Sequence, residues 1–169
     1  MSLLSRSGRA SADCTAQWEW LEASRAHVVS AKCDVADARS VRAALGTASE
    51  KMPAVKGALH LAAVLEDATL AQLTQAHFEK SYAAKVHGAM NLHDAVDMAT
   101  LDFLVLFSSV ASTFGSAGQG NYAAANAALD ALAARWRGFG ERVWSVQWGA
   151  WREVGMAPEI GTAERLAIS

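Results

Sequence analysis

The chain reads as an α/β domain on a parallel sheet, and three observations predict this. Short β-rich apolar runs alternate with longer segments of helical spacing, the pattern of successive βα units. One run, Phe103-Leu104-Val105-Leu106-Phe107, is apolar throughout, as a strand buried on both faces requires. With 169 residues and 52% hydrophobic composition, the chain has the size and apolar content of one domain with a substantial core.

Leu3-Leu4 reads as the tail of a strand running into the polar turn Ser5-Arg6-Ser7-Gly8-Arg9, and about a dozen residues around Trp18 and Leu21 follow as a helix. Val28 to Cys33 is the next strand, ending at Asp34. The helix carrying Val41, Ala44 and Leu45 stands behind Asp37 or Ser40 as N-cap. Val55 to Ala63 forms a third strand. Its exit loop, Val64-Leu65-Glu66-Asp67, leads into a long helix with Phe78, Tyr82, Val86 and Met90 spaced by four along one face, and Lys85 lies on that helix. Ser108 and Ser109 end the Phe103 strand, where open α/β sheets place their ligand crevice. Gly115, Gly118 and Gly120 make a loop before an alanine-rich helix from about Asn121 to Arg137. A last strand, Val143 to Trp148, precedes Gly149.

Fifteen Lys+Arg against seventeen Asp+Glu leave a net charge of −2, which argues against a nucleic-acid or anionic-membrane partner. Cys14 and Cys33 read as small buried hydrophobes, and with no apolar run of spanning or signal-peptide type they point to a reduced, cytosolic setting. The histidines, His27, His60, His77, His87 and His93, lack metal-ligand spacing, so no metal is expected. Ser109 lacks the G-x-S-x-G elbow of a hydrolase. The six tryptophans read as packing residues, with Trp144 and Trp148 in phase on the last strand.

Tyr122, Ser109, Lys85 and Asn126 form the chemical constellation. A ketone oxygen gathering negative charge needs a proton donor and a second hydrogen bond, which Tyr122 and Ser109 could supply. An isolated phenol is a reluctant acid/base partner at neutral pH, and a nearby ammonium such as that of Lys85 favours the phenolate. Tyr122 and Asn126, four apart, share a helix face about 6 Å apart, where the amide can hold a water or a backbone group in line with the ammonium. Taken singly, each has a bland reading: a core tyrosine, a strand-ending serine, a solvated lysine. Only the combination points to carbonyl reduction.

Three segments carry a resemblance: Phe107-Ser108-Ser109-Val110-Ala111, Gly115 to Asn126 (GSAGQGNYAAAN), and Val146-Gln147-Trp148-Gly149-Ala150-Trp151. They resemble the ketoreductase domains of modular polyketide synthases and related multidomain fatty acid synthases, within the short-chain dehydrogenase/reductase superfamily. The resemblance covers essentially the whole chain. It implies a Rossmann-like doubly wound sheet and NADPH-dependent reduction of a β-ketoacyl chain on an acyl carrier protein, with other synthase domains as partners. Ordinary members of the superfamily carry Lys four residues after the catalytic Tyr. Asn126 stands there instead, and the resemblance to synthase ketoreductases carries the lysine's role onto Lys85 in Ala84-Lys85-Val86-His87-Gly88.

The same comparison implies the cofactor positions. Arg6, in the turn with Ser5, goes to the 2′-phosphate, and Asp34, beside Val35, to the adenine amino group. Leu61, Ala62 and Ala63 line the trough, Ala63 where the family usually has Gly. Lys85, Tyr122 and Gly149 lie at the reacting end, and Gly155-Met156-Ala157 resembles the segment that meets the nicotinamide. Leu65-Glu66-Asp67 resembles the Leu-Asp-Asp motif of B-type ketoreductases, and Phe114 stands where A-type members carry Trp, so Asp67 and Phe114 are the stereocontrol candidates. Asp67 could equally be the N-cap of the long helix.

The resemblance further implies that residues 1–169 form a single domain truncated at both ends. The strand, G-x-G-x-x-G turn and helix that hold the pyrophosphate have no counterpart before Leu3, and that strand belongs between those ending near Ser5 and near Ala63. The alternative to an enzyme is a reductase-like subdomain that only braces a catalytic neighbour, which would be expected to lose the Ser/Tyr/Lys/Asn set.

Overall fold

The computed structural model of the chain describes residues 1–10 and 12–150. Strand β1 (Ser2–Ser5) pairs in parallel with β2 (Val29–Lys32), and β3 (Gly57–His60), β4 (Phe103–Ser109) and β5 (Val143–Trp148) form a second parallel sheet in that order. The α/β reading with parallel strands therefore holds. The registers Leu4↔Ala31, His60↔Leu106 and Ser109↔Trp148 bring strand carboxyl ends to common rims. An ideal Cβ on Gly88 would meet both His60 and Val35, so the carboxyl ends of the two sheets lie at one edge of the molecule.

Between the free edges of β1 and β3 lies a cavity of about 1070 Å³ lined by Met1 to Arg6 and by Gly57 to Val64. Leu59 and Leu61 stand 54% and 57% exposed there, apolar side chains with no strand against them.

Helix α1 spans Thr15–Ala23 and α2 spans Ala38–Lys51. Of the two N-cap candidates for α2 the structure selects Asp37, whose carboxylate accepts from the Arg39 N–H at 2.9 Å. Ser40 instead accepts from the Asp34 N–H at 3.0 Å. Val41, Ala44 and Ala48 give α2 a buried stripe, and Val41 and Ala44 pack with Cys33 and Leu92.

The long helix begins at Gln75, later than the sequence suggested. Its N-cap is Thr74, whose N–H is accepted by His77 Nδ1 at 3.2 Å. Asp67, seven residues earlier, is therefore not a helix cap. The helix runs as α3 (Gln75–Tyr82), one π-turn (Ala83–His87) and α4 (Gly88–Ala95). Its buried residues include Ser81, Lys85, Val86, Ala89 and Leu92, while Phe78 and Met90 are 36% and 43% exposed. Of the stripe of fours only Val86 is buried, and the inward face is instead carried by Ser81, Lys85, Gly88, Ala89 and Leu92.

Strand β4 buries Leu104, Leu106 and Ser108 on one face but leaves Phe103 41% exposed on the other, so burial on both faces is only half realised. A four-residue helix that the sequence did not announce, α5 (Ala111–Phe114), follows it, and then α6 (Gly120–Gly138). Leu129, Ala133 and Trp136 of α6 pack with Leu101, Leu104, Leu106 and Val143 as the main core.

Trp136 is a packing residue as expected. Trp20, Trp144 and Trp148 are 71%, 43% and 39% exposed, contrary to the uniform core reading. Cys33 is buried, whereas Cys14 is exposed, and neither is bonded. Among the described residues no helix is long and apolar enough to cross a membrane.

Candidate active site

The site forms where β4 ends. Lys85 projects from the π-turn into the protein, 3% exposed, and its Nζ donates to the Phe107 carbonyl on β4 at 2.8 Å. The same Nζ lies 5.2 Å from the centre of the Tyr122 ring, a cation–π approach from the first turn of α6. Two of the four candidates, distant in sequence, are thus brought together. Burial pushes the Lys85 ammonium down from 10.5 to about 8, against the opposing pull of the Asp130 carboxylate.

Asn126, fully buried, donates Nδ2 to the Tyr122 carbonyl at 2.8 Å, fixing the helix turn that carries the phenol. Among the described residues no donor reaches its buried Oδ1, an acceptor left over inside the site. Ser109 closes β4, and its Oγ accepts from the Ala111 N–H at 3.2 Å, which leaves the hydroxyl hydrogen available for donation. Beneath the site, Asp130 accepts from Ser145 Oγ at 2.5 Å, Ser112 Oγ at 2.7 Å and Gln147 Nε2 at 2.8 Å, tying β5 and α5 to α6. Burial alone would raise this carboxyl, but the hydrogen bonds prevail and hold it below its usual range.

The cofactor candidates Ser5, Arg6, Asp34, Val35, Leu61, Ala62 and Ala63 all line the same cavity between the sheets. The turn that presents Arg6 is braced by Ser5 Oγ, which accepts from the Gly8 N–H at 3.0 Å. Gly8 has φ +69°, and a Cβ there would meet the Lys32 backbone at 2.9 Å, so the turn requires glycine. Asp34 Oδ1 already accepts from the Ala36 N–H at 3.0 Å. A guanidinium and a carboxylate at the neighbouring carboxyl ends of β1 and β2, on the rim of a largely apolar trough, suit the adenosine end of a dinucleotide with an additional phosphate. Gly149 follows β5, while Gly155, Met156 and Ala157 lie outside the described residues.

Of the stereocontrol pair, Asp67 takes two hydrogen bonds from the buried Gln119 Nε2, both 3.0 Å, and Phe114 stands 84% exposed. Asn121 Nδ2 donates to the Glu66 carbonyl at 3.0 Å, so the loop holding Asp67 is fastened to the start of α6.

The profile of the KR domain family matches residues 1–153. The chain belongs to that family. Ketoreductase domains of this kind are oxidoreductases of polyketide synthases, with the short-chain dehydrogenase fold. The phenolphthiocerol synthesis polyketide synthase Pks15/1 of Mycobacterium marinum is 43% identical over 145 residues, which are 85% of this chain and 7% of that synthase. The first ketoreductase of the tylosin polyketide synthase is 43% identical with a TM-score of 0.79, covering 98% of this chain and 36% of that one. A structure of A-type ketoreductases from a modular polyketide synthase is 39% identical with a TM-score of 0.85, over 98% and 35%. The chain therefore spans a small part of that synthase and about a third of each of these two solved ketoreductases.

Sequence reasoning passed over His60. It is 2% exposed at the end of β3, and its Nε2 meets the Lys85 carbonyl at 2.8 Å. Burial pushes its imidazole down to about 4, the Lys85 carbonyl bond opposing and the Lys85 charge adding. As pH falls from 6.5 to about 4, the unfolded chain takes up a proton that the folded chain does not, so stability falls by about 3 kcal/mol across that window. Urea midpoints at pH 7 and pH 4 in the native chain and His60→Gln should show the loss only in the former. An equal loss in both would assign it elsewhere.

Proposed function

We propose that this chain reduces a β-ketoacyl thioester, carried on an acyl carrier protein, to the β-hydroxyacyl form with NADPH. The observation that carries the reading is the buried Lys85 ammonium, 5.2 Å from the Tyr122 ring at the carboxyl rim of β4. When bound, NADPH supplies the hydride. Tyr122 gives its proton to the ketone oxygen, and Ser109 donates a hydrogen bond that orients that oxygen. Lys85 stabilises the charge left on the phenolic oxygen, and Asn126 fixes the helix turn on which the phenol sits.

Arg6 and Ser5 hold the 2′-phosphate end, Asp34 and Val35 the adenine, and Leu61, Ala62 and Ala63 the trough between. Gly149 serves the nicotinamide end, a role the family resemblance also gives to Gly155, Met156 and Ala157, while Asp67 and Phe114 bias the ketone face presented. Residues 1–169 act as part of one domain working beside other synthase domains in a reduced, cytosolic setting.

The facing free edges of β1 and β3 accept one further parallel strand, and we assign to it the glycine-rich turn and helix that hold the pyrophosphate. Each edge group buried without a partner costs about 1–3 kcal/mol, which favours such completion. The test compares NADPH binding by the chain alone and by the chain joined at Met1 to a strand, G-x-G-x-x-G turn and helix. Weak binding alone and micromolar binding when joined is the expected result. Micromolar affinity of the chain alone would refute the completion, and a joined chain without turnover on trans-1-decalone would refute the reductase.

A further inference from the structure

The lysine of this site sits in an unusual place, the one π-turn of the described helices. The Gly88 N–H reaches the Ala83 carbonyl five residues back and also touches the Lys85 carbonyl. A helix turn wound this wide is less stable than an α-turn and persists where something outside the helix holds it. Here the holding group is the imidazole of His60. His60 Nε2 lies 2.8 Å from the Lys85 carbonyl, and both residues are almost fully buried. A carbonyl can only accept, so Nε2 must carry the hydrogen, and the imidazole is the neutral Nε2–H tautomer. The approach is close because Gly88 has no side chain: an ideal Cβ there would lie 2.8 Å from His60 Cε1 and 2.9 Å from Val35 Cγ2.

We propose that His60 is a positioning residue, its Nε2–H clamping the Lys85 carbonyl so that the π-turn is kept and the Lys85 amine points to Phe107 and Tyr122 rather than away. The inference rests on the role of Lys85 given above. The geometry is one of cause and consequence. If the turn closed to an α-turn, the residues on either side of it would rotate against each other by about 100°, enough to carry a side chain from one helix face to the next. With α3 and α4 both held by packing, Lys85 would lose its direction towards Tyr122. His60 therefore acts through the backbone of Lys85, with no contact to substrate of its own. The charged and titratable groups around the amine are Asp130 and Tyr122 of α6 and His60 itself, which stays neutral above about pH 4.

Carbon-13 labelling at lysine Cε gives a readout in the chain as it stands, free of cofactor. The wild-type Lys85 amine titrates near 8. His60→Phe keeps the ring volume and removes the donor. Its Lys85 midpoint should rise by at least about one pH unit as the amine turns toward water, and His60→Gln, whose amide reaches a similar point, should restore the low midpoint. In the joined chain, His60→Phe should lower kcat on the order of tenfold or more with KM nearly unchanged, and His60→Gln should recover most of it. A Lys85 midpoint that stays put in His60→Phe, or that moves equally in both variants, overturns the proposal. Should His60→Phe fail to fold, long-range nitrogen-15 spectra of the native chain decide: the Nε2–H tautomer of His60 supports the clamp, and the Nδ1–H tautomer overturns it. If the Lys85 midpoint behaves as stated while Tyr122→Phe keeps full turnover, the positioning stands and the reductase reading fails.

Discussion

Tyr122→Phe is expected to lower turnover on a ketone by about 10²- to 10⁴-fold, the usual contribution of one positioned proton donor. The ring stays, so its contact with the Lys85 ammonium at 5.2 Å survives and the cofactor trough is untouched. Tyr122 is half-buried rather than enclosed, so removing its hydroxyl strands no fully buried group, and stability should change by less than about 0.5 kcal/mol. Steady-state NADPH oxidation with trans-1-decalone, alongside cofactor titration, checks both halves. Turnover within threefold of the native value would remove Tyr122 from the chemistry.

Lys85→Met is expected to abolish reduction and yet make the chain more stable at neutral pH. A lysine held near 8 inside the fold, against 10.5 outside it, costs the folded state about 3 kcal/mol at pH values below 8. The sign follows from proton counting: between pH 8 and 10.5 the unfolded chain keeps a proton that the folded chain has released, so native stability rises with pH across that window. Methionine fills the same space without the charge. It forfeits the bond to the Phe107 carbonyl, worth about 1 kcal/mol, so the net gain at pH 7 is about 2 kcal/mol. That gain should shrink as pH rises from 8, vanish near pH 10 and turn into a deficit of about 1 kcal/mol above 10.5, where only the lost hydrogen bond remains. Urea midpoints at pH 7 and pH 10 test it, and a variant less stable than the native chain at pH 7 would contradict the buried charge.

What the sequence disclosed follows from how local each signal is. The apolar run of β4 and the alanine-rich α6 announce themselves within a few residues, and both lie close to where they were expected. Ser109 falls at the strand's carboxyl end by counting alone, and Asp37 is one of the two caps the sequence offers, the structure deciding against Ser40. The rest depends on contacts between distant segments. The π-turn has no signature in Ala83-Ala84-Lys85-Val86-His87, because its partner is His60, twenty-five residues away. The spacing by four of Phe78, Tyr82, Val86 and Met90 does not mark the buried face: Val86 is buried, but Phe78 and Met90 are exposed.

The late start of the long helix has the same origin. Residues 66 to 68 are held by Gln119, Asn121 and Gly118 rather than by a helix of their own. Likewise Asp130 on α6 gathers Ser112 from α5 and Ser145 and Gln147 from β5, which no window of sequence contains. A buried histidine without a metal partner, or a glutamine three residues before a tyrosine, is a weak signal until the fold supplies its neighbour.

The most direct measurement follows a labelled hydride. The chain joined to its completing strand, turn and helix is mixed with NADPH deuterated at the transferable nicotinamide position and a β-ketoacyl thioester, and the product is read by mass spectrometry. Deuterium on the carbinol carbon with native protein, and its near-absence with Tyr122→Phe under saturating cofactor, is the predicted outcome. Equal deuterium from both proteins, or none from native protein that demonstrably binds NADPH, would contradict a reductase built on Tyr122, Ser109, Lys85 and Asn126.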